Sequence, residues 1–166
     1  MSASPSLGQV IIRPGEPADA AFVHSSWLKS YQHGGRTAVS GQIAPNVYAP
    51  GWAATVGPMC YLAEHSGVIK RLMDRSDISV AAWSEDPETI IGWAAIEPCP
   101  GTLPPDSDEP YFIHYCFVRK EFRRQGVARR LLSGTTAPAI VTHRTADADR
   151  CPWPRGWTYN PYPGLR

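Results

Sequence analysis

The sequence lacks what would direct it to a membrane, a metal or an oxidising compartment. No apolar run approaches the roughly 18 residues that a membrane helix needs. The opening MSASPSLGQ has neither a basic segment nor an apolar centre, so it does not read as a signal peptide and is expected to be a mobile tail over residues 1–9. An excess of one charge is missing too: 16 Lys+Arg against 15 Asp+Glu leave a formal net charge of +1. The chain as a whole therefore exerts no pull on nucleic acid or anionic lipid, and any basic site must be local. The four cysteines, Cys60, Cys99, Cys116 and Cys151, are scattered and form no C-x-x-C pair, which signals neither a zinc site nor a disulfide framework. Free buried thiols in a reducing cytoplasm are the expectation. His143 and Cys151 match no metal-ligand spacing, so no metal is expected. The phosphate-binding signatures G-x-G-x-x-G and G-x-x-x-x-G-K-[ST] are also absent, as is any internal repeat.

What is present is globular. A hydrophobic fraction of 43% and a charged fraction of 19% over 166 residues fit one domain, 1–166, with a single core. VIIR, Val10 to Arg13, is β-branched and stopped by Pro14-Gly15, as a first strand would be. A helix follows, with Pro17 in its first turn, Asp19 at its positive end, and Phe22, Val23, Trp27 and Tyr31 on its apolar side. Between Gln32 and Pro58 glycines and prolines are too frequent for a long regular element. Leu62, Ile69, Leu72 and Met73 then recur at helical spacing, at a cost of about 1 kcal/mol for the interior Gly67. ISVAAW and TIIGWAAIEP predict an antiparallel hairpin around a polar turn containing Pro87. After the polar CPGTLPPDSDEP comes YFIHYCFV, apolar on both faces like a central strand. A helix is predicted from about Gln125 to Ser133, and PAIVTHR as one more strand. The C-terminal CPWPRGWTYNPYPGLR has four prolines and no helical period. The order gives an α+β protein with a mixed, mainly antiparallel central sheet flanked by helices and an extended proline- and aromatic-rich tail.

The junction between Tyr111 and Leu132 carries the chemistry. A strand that turns straight into a helix leaves the first helical N–H groups unpartnered, and glycine at 126 lets a ligand come close to them. With Arg123 and Arg124 alongside, the loop Arg123 to Ala128 suits a diphosphate; a helix start with solvated arginines is the plain alternative. The residues do not distinguish among nucleotide phosphates.

VRKEFRRQGVARRLL is similar to motif A of the GNAT superfamily of acyl-CoA-dependent N-acetyltransferases, whose signature is Q/R-x-x-G-x-G/A. Arg123, Gly126 and Ala128 occupy its defining positions. The resemblance extends in element order from Val10 to about Val141, and IIRPGEPADAAFV resembles the first strand and helix of that fold. It implies acetyl-CoA as co-substrate, with the pyrophosphate on the amides of Gln125, Gly126, Val127 and Ala128. The pantetheine arm would run beside Cys116, Phe117 and Val118 where the strand splays from the next.

Acetyl transfer to an amine requires a neutral amine, a polarised carbonyl and a proton for the thiolate. In the aralkylamine branch of the family a strand histidine helps deprotonate the amine, which assigns that role to His114, with Glu97 in reserve; a hydrogen-bonded core histidine is the competing account. His114 stands two residues from Cys116 and is expected on the same strand face. The family's general-acid tyrosine lies on a helix after the fifth strand. Here Pro152, Pro154, Pro161 and Pro163 oppose such a helix, so Tyr162 or Tyr159, with Asn160 beside the cofactor, is expected to take its place, against the alternative that these aromatics pack the tail. Trp27, Tyr31, Tyr48 and Trp52 would border the acceptor site or simply pack. The compact C-terminus resembles small bacteriophage-encoded members of the superfamily. The expected function is a cytoplasmic N-acetyltransferase acting directly on a primary amine, free or in a protein. Nucleic acid is disfavoured except as a modified base, no membrane partner is expected, and a homodimer is compatible. The alternative is a CoA-binding or structural module on the same fold without turnover.

Overall fold

In the computed structural model, residues 9–34, 58–98, 111–135, 138–143 and 152–160 are described. The expected tail and the two proline-rich loops fall largely outside them. So do Tyr48, Trp52, Cys99, Cys151 and Tyr162, and the side chains of Tyr31, Cys60 and Leu62.

The described strands are β1 (Val10–Pro14), β2 (Asp77–Trp83), β3 (Ile90–Pro98), β4 (Tyr111–Val118), β5 (Ala139–Val141) and β6 (Thr158–Tyr159). They form one sheet in sequence order. The pairings β1–β2, β2–β3 and β3–β4 are antiparallel, whereas β4–β5 and β5–β6 are parallel. The fold is thus α+β with a mainly antiparallel sheet. Its helices are α1 (Ala20–Gly34), entered through a 3-10 turn at Pro17–Asp19, then α2 (Pro58–Arg75) and α3 (Val127–Leu131).

Helices α1 and α2 cover one face. Val23 and Trp27 from α1 and Ile69 from α2 pack on Val80, Ala82, Trp93, Ala95 and Tyr115. The rings of Trp27, Trp93 and Tyr115 lie 5.2–5.6 Å apart. The Trp93 indole N–H donates to Ser26 Oγ at 2.9 Å, so this face is both apolar and pinned by a polar contact. Trp27 is 0% exposed and is a core residue, not part of an acceptor pocket. The opposite face is covered by the short α3, through Val127 and Leu131, against Ala81, Ile91 and Ala94.

Asp19 does more than favour a helix end. It is buried, accepts the Glu16 amide at 2.8 Å and is gripped by both terminal nitrogens of Arg13 at 2.6 and 2.9 Å. The Arg13 guanidinium holds its carboxyl below the usual carboxylate range. β1 and the start of α1 are thereby locked together.

Two elements differ from the sequence expectation. Helix α3 spans five residues instead of running from Gln125 to Ser133, because Gly126 adopts φ +80, which no helix interior contains. The strand expected over PAIVTHR is confined to Ala139–Val141, and the tail contributes a two-residue strand, β6, beside it.

Candidate active site

Strand β4 is paired on both sides only at its beginning. Tyr111, Phe112 and Ile113 face Ala139, Ile140 and Val141 of β5, and the Thr142 amide closes the ladder on the Ile113 carbonyl at 3.1 Å. Beyond that point β4 continues along β3 alone, down to the pair of Val118 with Gly92. The β5-facing edge of Cys116–Val118 therefore has no strand partner among the described residues, as a peptide-like arm laid along it would require.

The register of β3 against β4 slips at the same level: Ala95 faces Tyr115 and Ile96 faces Ile113, leaving His114 as the extra residue of a β-bulge. This overturns the expected side-chain alternation. Tyr115 and Phe117 pack on the α1–α2 face, while Cys116 and Val118 pack on the α3 face. His114 bonds Glu97, which follows Ala95 at a two-residue spacing and so shares its face. His114 and Cys116 are therefore on opposite faces of the sheet, because a bulge inserts one residue into a period of two.

His114 is 2% exposed. Its Nε2 lies 2.7 Å from Glu97 Oε2 and its Nδ1 lies 2.8 Å from Thr142 Oγ1. The same Glu97 oxygen forms an ion pair with Arg75 Nη2 at 3.3 Å, at the C-terminal end of α2. Burial pushes the imidazole below its ordinary value against the opposing pull of the Glu97 carboxylate, which keeps it neutral at neutral pH. Close by, the His143 ring stands 5.3 Å from that of Tyr115. Burial, reinforced by His65, pushes His143 down to about 4. The packing around Cys116 pushes its thiol up to about 12, so it holds its proton and is a poor nucleophile.

At the far end of β4 the chain turns sharply. The Arg119 amide donates to the Ile91 carbonyl at 2.9 Å, and a 3-10 turn covers Lys120–Phe122. Arg124 and Gly126 both take left-handed conformations, with φ 62 and 80. The Arg130 amide donates to Gly126 O, so the amides of Val127, Ala128 and Arg129 have no partner within the helix. A Cβ built on Gly126 would meet nothing within 4 Å. The glycine is thus needed for its backbone angle, and the space over it is open. Arg123 and Arg124 are exposed here, although the Arg123 Nε–H also folds back onto the Val118 carbonyl at 3.1 Å. Amides, open space and guanidinium groups fit a diphosphate. A five-residue helix contributes little macrodipole, so the amides and side chains supply the attraction.

The tail joins the sheet at the level where β4 and β5 part. The Asn160 amide donates to the Val141 carbonyl at 3.0 Å, and Tyr159 pairs with Val141 in β6. Thr142 and Arg75 were not apparent as site residues from the sequence. Only the parallel register of β5 and the end of α2 bring them to His114 and Glu97, and neither carries a local motif.

The sheet thus forks between two parallel strands, with a cationic glycine turn at the end of the central one. The family model described as the acetyltransferase (GNAT) family matches residues 50–136, over half of the chain, and the protein belongs to that family. Its co-substrate is accordingly acetyl-CoA. Among solved structures, a candidate acetyl transferase from Pyrococcus furiosus has the same fold at 16% identity and a TM-score of 0.52, over 88% of this chain and 94% of that one. An acetyltransferase from Vibrio fischeri is similar at 17% identity and a TM-score of 0.47, covering 79% and 93% of the two chains. A GNAT family acetyltransferase from Brucella melitensis, solved in complex with acetyl-CoA, matches at 16% identity and a TM-score of 0.46, covering 85% and 80%. No curated protein matches the sequence. Among the described residues no group of three or more His, Cys, Asp and Glu is arranged to hold a metal, and no helix is long and apolar enough to cross a membrane.

Proposed function

We propose that the protein transfers the acetyl group of acetyl-CoA to a primary amine by direct attack, without an acyl-enzyme. The observation that carries this reading is the Glu97–His114 pair, 2.7 Å apart at the fork of β4 and β5. A neutral amine must shed a proton as its nitrogen bonds to the acetyl carbon, and an imidazole kept neutral by burial beside a carboxylate is suited to receive it. Bound acetyl-CoA supplies an activated thioester carbonyl. In this reading Gln125, Gly126, Val127 and Ala128 hold the diphosphate through their amides, with Arg123 and Arg124 neutralising charge. The Cys116–Val118 edge orients the pantetheine arm, with Asn160 on the opposite bank. His114 is the base, Glu97 its carboxylate partner, and Tyr162 or Tyr159 of the tail the general acid. The protonated Cys116 thiol supports attack by the amine itself over a covalent route. The acceptor is a free amine or an amine on a protein; a net charge of +1 offers little to nucleic acid.

Thermal shift with acetyl-CoA, followed by thiol release over a panel of amines, tests the reading. At a hundredfold excess over Kd the cofactor should stabilise the fold by about 2.7 kcal/mol, and Gly126→Trp should abolish the shift. A shift without turnover on any amine, lysate proteins included, would refute transfer and leave a CoA-binding module.

A further inference from the structure

We propose that Thr142 is the hydroxyl through which His114 exchanges a proton with the reacting amine, forming a Glu97–His114–Thr142 relay. The proposal rests on the acetyltransferase reading above. His114 is 2% exposed and both of its ring nitrogens are engaged, Nε2 with Glu97 Oε2 at 2.7 Å and Nδ1 with Thr142 Oγ1 at 2.8 Å. A carboxylate can only accept, so Nε2 carries the hydrogen and Nδ1 is left with the lone pair, which accepts from the Thr142 O–H. No amine reaches that lone pair without displacing the hydroxyl. The basicity of the imidazole is therefore available at Thr142.

Thr142 is in the right place to use it. It is half-buried, the first residue beyond β5, and its amide bonds Ile113, whose pairing with Val141 is the last between β4 and β5. It stands at the point where the two strands part. Carboxylate, imidazole and hydroxyl in line is the arrangement that draws a proton from a hydroxyl in hydrolytic triads; here the hydroxyl passes the proton on. As the amine nitrogen bonds to the acetyl carbon and the carbon–sulfur bond breaks, one N–H proton moves to Thr142 Oγ1. The threonine's own proton moves to His114 Nδ1, and Glu97 stabilises the imidazolium. The departing sulfur takes one proton from the tail tyrosine that acts as general acid, and the imidazolium returns its proton to that tyrosinate through solvent, so one proton leaves nitrogen and one arrives at the thiol. The charged and titratable groups that face this line are Glu97 from β3 and Arg75 from α2. His143, with His65 behind it, stands against Tyr115.

Two measurements on the full chain test the relay. Nitrogen NMR of His114 without substrate should show the Nε2–H tautomer, with the Nδ1 resonance moving in Thr142→Val. The Nδ1–H tautomer would mean that the ring donates to the threonine, and would overturn the relay whatever the activity. In steady state, with an amine that the wild type turns over, Thr142→Val should lower kcat roughly 10²-fold. The KM for acetyl-CoA and the melting midpoint should stay near wild type, the pH dependence set by His114 should be displaced, and Thr142→Ser should restore most of the rate. A wild-type rate and pH profile in Thr142→Val would sink the relay and leave the acetyltransferase reading standing. An acetyl group found on Thr142 after incubation with acetyl-CoA alone would replace the relay by a covalent route. Wild-type inactivity on every amine would remove the acetyltransferase reading and the relay together.

Discussion

The two halves of β4 are built from similar residues and do opposite things. Tyr111–Ile113 is held between β3 and β5, whereas Cys116–Val118 has β3 as its one strand partner among the described residues, and the bulge at His114 separates them. The first half anchors the sheet; the second offers its free edge and leads into the cationic turn. One strand can thus be part of the core at one end and a binding surface at the other, because pairing, not composition, decides which backbone groups remain available.

The harshest way to break this division is at the bulge. His114→Ala should lower the rate of acetyl transfer by roughly 10²–10³-fold while leaving affinity for CoA within a few-fold, measured by steady-state kinetics and calorimetry. An unchanged rate would reduce His114 to a core residue. Next comes the strand that supports the free half. A Cβ on Gly92 would stand 2.6 Å from the Phe117 carbonyl, so Gly92→Ala should cost about 2 kcal/mol in denaturant unfolding and also weaken CoA binding, since Phe117 and Val118 must shift. A destabilised variant with wild-type affinity would separate the edge from the cofactor.

At the outer end of the same half, Arg123→Glu removes the bond to the Val118 carbonyl and sets an anion beside the turn. CoA should then bind about tenfold more weakly, a loss of about 1.4 kcal/mol, and binding isotherms at two salt concentrations would check it. The gentlest test is pH. His114 and His143 are both pushed below the ordinary histidine value, His143 from 6.5 to about 4. Protons then bind the unfolded chain in preference, so their contribution is fully present above about pH 6.5 and is lost as pH falls toward 4. Urea midpoints should drop between pH 7 and pH 5; equal midpoints would contradict the lowered values of these rings.

Much of this was legible along the chain. The β-branched run at Val10, the apolar spacing of Val23 and Trp27 and of Ile69 and Leu72, the hairpin around Pro87 and the two-sided apolarity of β4 each follow from period and breaker residues, and each element formed close to where those signals lie. The basic glycine corner was legible as well, since Gly126 follows Arg123 and Arg124 soon after the apolar strand, but its left-handed angle was not. What could not be read was non-local. The bulge that turns His114 away from Cys116 depends on how β4 meets β3, and the pairing of Thr142 with His114 depends on a parallel register across a crossover. Helix α3 is shorter than its apolar period implies because the left-handed Gly126 marks where the helix begins, and Leu132 already leaves it.

The sequence by itself determined which segments become strands and helices, and that a basic glycine corner follows the central strand, because these depend on side-chain period and backbone angles within a few residues. Only the tertiary structure decided which half of β4 stays open and which groups meet at His114. Those depend on strand register and on the end of a distant helix, and a one-residue slip in pairing reverses the face of every side chain beyond it.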